Sequence, residues 1–231
     1  MTFSDLPPGA VALTWALMGL MVGSFLNVCI YRLPLEGMSV RSPRRSHCPA
    51  CGAQLGWKEN IPLVSWIVQA GRCRHCNGRI SLRYPLVEAS NAGLWYTAVV
   101  LAGPNHWPLW ACWSLVLSGL LVATLVDFDC FQIPDEISLG GCLLAPLACL
   151  WVPSLQGQTY LAQILSQVPG GEVDRVGAIL ASLAGMGVGA GALLFIGALG
   201  RKIYGVEAMG QGDVKLLAAG GVVERDWAGV W

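Results

Sequence analysis

Long apolar stretches alternate with short polar ones along the chain, and the apolar stretches approach or exceed membrane length. A helix needs about 20 residues to cross a hydrocarbon core of about 30 Å. Five windows fit this pattern: Val11–Tyr31, Leu86–Ala102, Pro108–Val126, Ser138–Val152 and Gly177–Leu199. A sixth begins near Val214 and is cut off by the chain end at Trp231. The pattern predicts an all-α polytopic membrane protein with about six transmembrane helices, the last of them incomplete.

Composition supports the membrane interpretation. Of the 231 residues, 55% are apolar and 12% are charged, against a charged share of about 25% in soluble domains. So few charges cannot cover the surface of a soluble protein of this length. Only Asp5 and no Lys or Arg precedes the first window, so we expect a retained helix there and not a cleaved secretory signal.

The region 32–84 is polar and basic, and it sets the predicted orientation. It carries nine of the fourteen Lys and Arg residues and only two acids, Glu36 and Glu59. A basic excess beside a span marks the cytoplasmic side, which explains these charges without a nucleic-acid partner. We therefore expect a first transmembrane helix in 1–31 with a periplasmic amino terminus, a small cytoplasmic domain in 32–84, and a transmembrane domain in 85–231.

Small residues and tryptophans mark predicted packing and interfacial positions. Gly19 and Gly23 in the first window, and the glycines of 185–191 in the fifth, have spacings that let helices approach closely in lipid. Trp107, Trp110 and Trp151 lie near predicted span ends and are typical of interfacial anchors. No internal repeat is evident.

Four cysteines in the basic region form two C-x-x-C pairs, "CPAC" (Cys48, Cys51) and "CRHC" (Cys73, Cys76). Two such pairs at this spacing suit tetrahedral zinc in a ribbon-like fold, whereas disulfides are disfavoured in a reducing compartment. Four thiolates leave no open position for water, so the predicted Zn²⁺ is structural. The other cysteines, which lie in or near spans, are interpreted as small buried apolar residues.

Two aspartates stand at the edges of apolar windows, Asp127 in "DFDCFQIPD" and Asp213 in "GQGD". Counting spans places both on the cytoplasmic face. Two adjacent carboxylates cannot both ionise easily, so one would hold a proton and the pair could activate water, as in aspartic proteases. Gly210 and Gly212 would let the backbone approach a substrate strand closely.

Simpler interpretations of these acids remain open. Asp135 follows Pro134 and precedes a helix, which predicts an N-cap, and Asp213 could cap a sixth helix in the same way. Asp129 could be only a solvated acid. A proton-coupled transporter is disfavoured because the acids lie at span edges and not near their middles. The three histidines form no H-E-x-x-H pair for a metalloprotease, and Ser24 has no evident histidine partner.

At these residues the chain resembles the prepilin peptidase family, the type IV leader peptidases among the GxGD aspartic membrane proteases. The resemblance runs in order over most of the chain and rests on these segments: "GSFLNVCIYRLP", the two cysteine pairs, "ENIPLVSW", "ISLRYPLVE", "DFDCFQIPDEISL" and "GQGDVKLLAA".

The resemblance implies an aspartic endopeptidase of the bacterial inner membrane. Members cleave a short basic leader from prepilins and pseudopilins and often N-methylate the new terminus with S-adenosylmethionine. It implies catalytic roles for Asp127 and Asp213 and a metal role for Cys48, Cys51, Cys73 and Cys76, and it leaves the methyl-donor site unplaced. An anionic surface for the leader could include Asp129, Glu136 and Glu207. The number of subunits is left open, a homo-oligomer included.

The sequence departs from the family after "GQGD", where relatives continue with further apolar spans and this chain stops at Trp231. The alternative expectation is therefore a truncated, catalytically impaired homologue. It would serve as a non-catalytic membrane assembly factor of a pilus or type II secretion system.

Overall fold

A computed structural model describes residues 7–35, 40, 45–131, 133–156, 175–204 and 216. These residues form mostly α-helix, with two short 3-10 turns and isolated β-bridges but no named β-strand. The predicted all-α class is confirmed at this level. The helices of the described residues are α1 (Pro8–Arg32), α2 (Val64–Val68), α3 (Arg83–Ala102), α4 (Trp107–Cys130), α5 (Asp135–Trp151) and α6 (Arg175–Tyr204).

Three stretches of helix in the described residues are long and apolar enough to cross a membrane: α1, α4 and Arg175–Leu199 of α6. The helix α3 has 20 residues but carries Glu88 and Asn91, and α5 has only 17 residues. Each of the five predicted windows nevertheless lies on one of the helices α1, α3, α4, α5 and α6, apart from Val152, which follows the end of α5. The sixth window lies outside the described residues, apart from Leu216.

The chain divides into two compact units, 1–131 and 132–231. In the first, α1, α3 and α4 pack on one another. One cluster joins the start of α1, the end of α3 and the start of α4, and it contains Val11, Ala12, Ala98, Val99 and Trp110. Since α3 meets both neighbours in this way, it runs antiparallel to them. The ends of α1 and α4 therefore lie beside the start of α3, at the end of the bundle where 33–82 is attached.

Glycines let α1 and α3 approach closely, as predicted. A Cβ atom added at Gly23 would lie 2.8 Å from the Cα of Glu88, and one added at Gly19 would lie 3.0 Å from the Cβ of Trp95. For two glycines of α6 close packing stays a prediction, because the sixth window lies outside the described residues. A Cβ added at Gly187 or Gly191 meets no described atom within 4 Å.

A buried chain of hydrogen bonds crosses this bundle. The Asn91 side chain donates to the carbonyl of Gly19 (2.8 Å) and accepts from the Ser118 hydroxyl (2.7 Å). The Ser118 oxygen in turn accepts from the Trp95 indole (2.9 Å). A buried polar group without a partner is costly, so these bonds specify how the three helices align.

The tryptophan prediction is correct only in part. Trp107 and Trp151 are exposed, as interfacial anchors would be. The prediction is wrong for Trp110, which is only 2% exposed. Its ring packs edge-on against Trp15, with centroids 4.5 Å apart. It lies on the face of α4 that turns toward α1.

In the second unit, α5 packs on α6, and the 3-10 turn Pro153–Gln156 contacts both. Cys149 and Ala178 form the buried centre of that contact. The N-cap prediction for Asp135 is wrong by one position, since Pro134 is the cap residue and Asp135 is the first helical residue. Its carboxylate still suits the positive end of the helix dipole.

Candidate functional site

The four predicted metal-ligand cysteines converge. Their Sγ atoms all lie within 4.8 Å of one another, and the Cys48 and Cys76 sulfurs are 3.9 Å apart. Tetrahedral zinc with Zn–S bonds of about 2.3 Å places its sulfurs about 3.8 Å apart. The tetrad therefore fits Zn²⁺ with little adjustment, and its four ligands support a structural role for the metal.

The two cysteine pairs share one local fold. In the first, the N–H of Cys48 donates to Ala53 and that of Gly52 to Cys48, each at 2.9 Å. In the second, Cys73 donates to Gly78 and Asn77 to Cys73 at the same distances. The likeness is confined to one turn around each cysteine pair, and little besides C-x-x-C is common to the two sequences.

Backbone geometry prepares this cluster for a metal. Gly52 and Asn77 occupy equivalent positions with φ of 71° and 58°, which close each loop behind its second cysteine. One ligand of each pair, Cys48 and Cys73, is buried, and the other is exposed.

The thiols of the cluster differ in acidity. Backbone N–H groups, of Cys51 first and Ala50 next, lower the pKa of Cys48 to about 7. The backbone N–H of Gly78 acts to lower the pKa of Cys76, but the neighbouring thiols, Cys51 foremost, and burial together raise it to about 11. Crowding therefore keeps at least one proton on the cluster at neutral pH, and a cation there would displace it.

Asp127 lies within the last turn of α4, because this helix runs four residues beyond its predicted end at Val126. Its side chain is exposed, and its carbonyl accepts the N–H of Phe131 (2.7 Å), which closes the helix. The other predicted catalytic residue, Asp213, and the loop glycines Gly210 and Gly212 lie outside the described residues.

Asp129 is not a free acid. Its carboxylate pairs with Arg83 at 2.5 Å, and the same guanidinium donates to the carbonyl of Leu125 (3.3 Å). Arg83 thus ties the start of α3 to the end of α4, beside Asp127. Of the other acids suggested for leader binding, Glu136 is exposed on α5, and Glu207 lies outside the described residues.

Sequence reasoning missed Glu88. This residue is 8% exposed, and its carboxylate accepts the backbone N–H of Leu63 (2.8 Å), which joins α3 to the polar region. Its position inside the predicted window Leu86–Ala102 was the available signal, because an ionisable residue within a span is a candidate for function.

Comparisons with known proteins agree with this architecture. The Bacterial Peptidase A24 N-terminal domain matches residues 17–102, which hold most of α1, the cysteine cluster and α3. A Prepilin leader peptidase/N-methyltransferase of Aeromonas hydrophila is 36% identical over 88% of this chain and 69% of its own length. The chain belongs to the prepilin leader peptidase/N-methyltransferase family.

Other members of this family match over most of the chain. The Type 4 prepilin-like proteins leader peptide-processing enzyme of Escherichia coli O78:H11 is 33% identical over 96% of this chain and 78% of its own length. The Prepilin leader peptidase/N-methyltransferase of Myxococcus xanthus is 36% identical over 94% of this chain, which spans 58% of the length of that relative. No solved structure matches the chain significantly.

Proposed function

We propose that this chain removes the leader peptide from type IV prepilins and pseudopilins at the cytoplasmic face of the bacterial inner membrane. Family membership over most of the chain carries the proposal. Placing Asp127 at the same end of the bundle as the cysteine cluster supports it, because the basic excess of 32–84 favours the cytoplasm for that end. In this topology the amino terminus is periplasmic, the five long helices cross the membrane, and the window from Val214 begins a sixth, incomplete span.

Asp127 and Asp213 are the proposed catalytic pair. One carboxylate, ionised, takes a proton from water as the water attacks the scissile carbonyl, and the other, protonated, donates to the leaving amine. The exposed position of Asp127 on a helix end leaves its carboxylate accessible to a substrate strand. Gly210 and Gly212 are proposed to admit that strand closely to the backbone.

Zinc is proposed to hold the cysteine cluster in a structural role. The N-methylation named for its relatives is proposed for this chain too, with S-adenosylmethionine as methyl donor. Prepilin and pseudopilin precursors are the proposed protein partners.

The test of the peptidase compares three aspartate variants. Asp127→Asn and Asp213→Asn are each expected to lower the rate of leader removal by about 10²–10⁴-fold, the usual contribution of a general acid or base. Asp135→Asn is the matched control, since it makes the same chemical change at an exposed residue in the first turn of α5, and it should retain most activity. Cleavage of a prepilin in membranes is followed by gel shift and terminal sequencing.

Two outcomes would contradict the proposal. Undiminished cleavage by both Asp127→Asn and Asp213→Asn would exclude an aspartic pair. Purified unaltered protein that binds zinc but leaves every prepilin uncleaved would favour the non-catalytic assembly factor instead. Zinc content alone does not separate these functions, because both would hold the metal.

A further inference from the structure

The short helix α2 carries an apolar face without a protein partner in the described residues. Val64, Ile67 and Val68 are 52%, 68% and 66% exposed, and their i, i+3, i+4 spacing places them on one side of the helix. Trp66 lies on the other side, where its indole donates to the carbonyl of Ile80 (3.2 Å). We call Val64, Ile67 and Val68 the α2 face.

A partly buried hydrogen bond ties the start of this helix to α3. The N–H of Leu63, the residue before α2, donates to the Glu88 carboxylate at 2.8 Å. Leu63 has φ 58°, and the N–H of Val64 reaches the carbonyl of Pro62 at 2.6 Å, a tight γ-turn that is strained for a non-glycine residue. Such a turn persists only where its surroundings stabilise it. The hydrogen bond to Glu88 provides this stabilisation and connects α2 to α3.

This hydrogen bond places the start of α2 beside the first part of the apolar window of α3. Glu88 lies two residues inside the window Leu86–Ala102, and Leu86 itself is 61% exposed. A five-residue helix is only about 7.5 Å long, so no part of α2 reaches far from that level. The α2 face therefore begins close to the level of the Glu88 carboxylate, near the start of the apolar window of α3.

The charge around α2 indicates what covers its face. Within residues 45–82 the structure gives one acid, Glu59, which contacts His75 (3.7 Å) and the N–H of Gly56 (2.7 Å). Basic side chains are in excess and exposed; they are Arg45, Lys58, Arg72, Arg74 and Arg79. Apolar residues at membrane level with basic residues around them are typical of interfacial segments on anionic lipid.

We propose that the α2 face is an interfacial membrane anchor, inserted at the headgroup–acyl boundary of the leaflet where α3 begins, with anionic phospholipid as its partner. The anchor holds the cysteine cluster against the membrane independently of any peptidase activity. Without a partner, the three aliphatic side chains of the α2 face would be exposed to water, which is unfavourable. Contact with lipid removes them from water. A prepilin helix or a second copy of this chain could meet the same face, and the test separates these occupants.

The test places a photoreactive benzoylphenylalanine at Ile67 in the full chain, reconstituted in nanodiscs containing phosphatidylglycerol. Gln54 is the matched control position, because it is exposed in the same polar region but lies on the first cysteine loop. After irradiation, mass spectrometry is expected to show several-fold more lipid adduct at position 67 than at position 54. Equal yields at the two positions, or adducts at 67 mainly to protein, with or without added prepilin, would overturn the proposal.

A second measurement uses the unsubstituted chain and so does not depend on a variant that folds. Nanodiscs carry a lipid with a diazirine in its acyl chain, and labelled peptides are mapped after digestion. Labelling should be stronger in the peptide that contains 64–68 than in the one that contains 45–56, and stronger with phosphatidylglycerol than with phosphatidylcholine alone. Absence of label in 64–68, or equal labelling with both lipids, would contradict the anionic anchor.

Discussion

Gly23 in α1 and Gly191 in α6 belong to similar small-residue patterns, yet their surroundings differ. A Cβ atom at Gly23 would lie 2.8 Å from the Cα of Glu88, whereas one at Gly191 meets no described atom within 4 Å. Buried serines repeat the contrast. Ser118 bonds Asn91 and Trp95, while the Ser182 hydroxyl has no hydrogen-bond partner in the described residues.

The difference shows what a small-residue pattern can and cannot specify. Glycine permits a close approach, but a fixed partner also needs groups that distinguish one alignment from another. The first unit has them, because Asn91 bonds the backbone at Gly19 (2.8 Å). The contact between α5 and α6 centres instead on small apolar residues, Cys149 and Ala178. We therefore expect matched substitutions in the two units to differ in size and even in sign.

Buried cysteines should show the largest contrast. Cys73→Ser removes one of the four proposed metal ligands, and structural zinc contributes on the order of 10 kcal/mol to the folding of such clusters. We expect loss of bound zinc and rapid proteolysis within 45–82. Cys149→Ala, at an equally buried position in the second unit, should keep the zinc and cost about 1 kcal/mol. Metal analysis of purified protein and limited proteolysis measure both.

A Cys73→Ser variant that retains full zinc and protease resistance would show that the metal is not held by this tetrad. An equal loss of zinc in Cys149→Ala would show that the two units are not separable as the contrast requires.

Zinc retention should also depend on pH in a defined direction. Metal ligation needs thiolates, so protons compete with zinc and occupancy falls as pH falls. The pKa of Cys76, raised to about 11 in the metal-free cluster, means that zinc binding at pH 7 releases a proton. Zinc release to a chelator should accelerate from pH 8 to pH 5. Release that is independent of pH would contradict thiolate ligation.

Glycine substitutions should give a smaller effect of opposite sign in the two units. Gly23→Ala forces a Cβ against the α3 backbone, and such overpacking costs typically about 1–3 kcal/mol. Gly191→Ala meets no atom of the described residues within 4 Å and gains helix propensity, so it should be neutral or stabilising by up to about 1 kcal/mol. Thermal unfolding in detergent measures both changes. Equal destabilisation would mean that Gly191 is packed as closely as Gly23.

The sequence predicts the helices and the convergence of the four cysteines well, for clear physical reasons. Apolar windows of membrane length have few other interpretations, and paired C-x-x-C motifs are local signals whose ligands need little help from the rest of the fold. Helix ends are less predictable. The predicted end of α4 was Val126, whereas the helix continues to Cys130. Asp127 and Asp129 can lie in the last helical turn because Arg83 pairs with Asp129 and neutralises its charge.

Long-range contacts could not be predicted in the same way. That Glu88 accepts from Leu63 depends on a turn 25 residues away, and no periodicity encodes it. Trp110 resembled an interfacial residue by position alone, and only the packing of α1 on α4 shows that it is buried. The meeting of Asp127 with Asp213 stays a prediction, since Asp213 lies outside the described residues.

The two buried serines provide the smallest and most specific contrast. Ser118→Ala leaves the Asn91 oxygen and the Trp95 indole without their partner, and an unsatisfied buried group costs about 1–3 kcal/mol. Ser182→Ala removes a hydroxyl whose burial is uncompensated in the described residues, so it should be neutral or stabilising. Unfolding of both variants in the same detergent gives the comparison. If Ser182→Ala destabilised as much as Ser118→Ala, its hydroxyl would have a partner, and polar specification would not distinguish the first unit from the second.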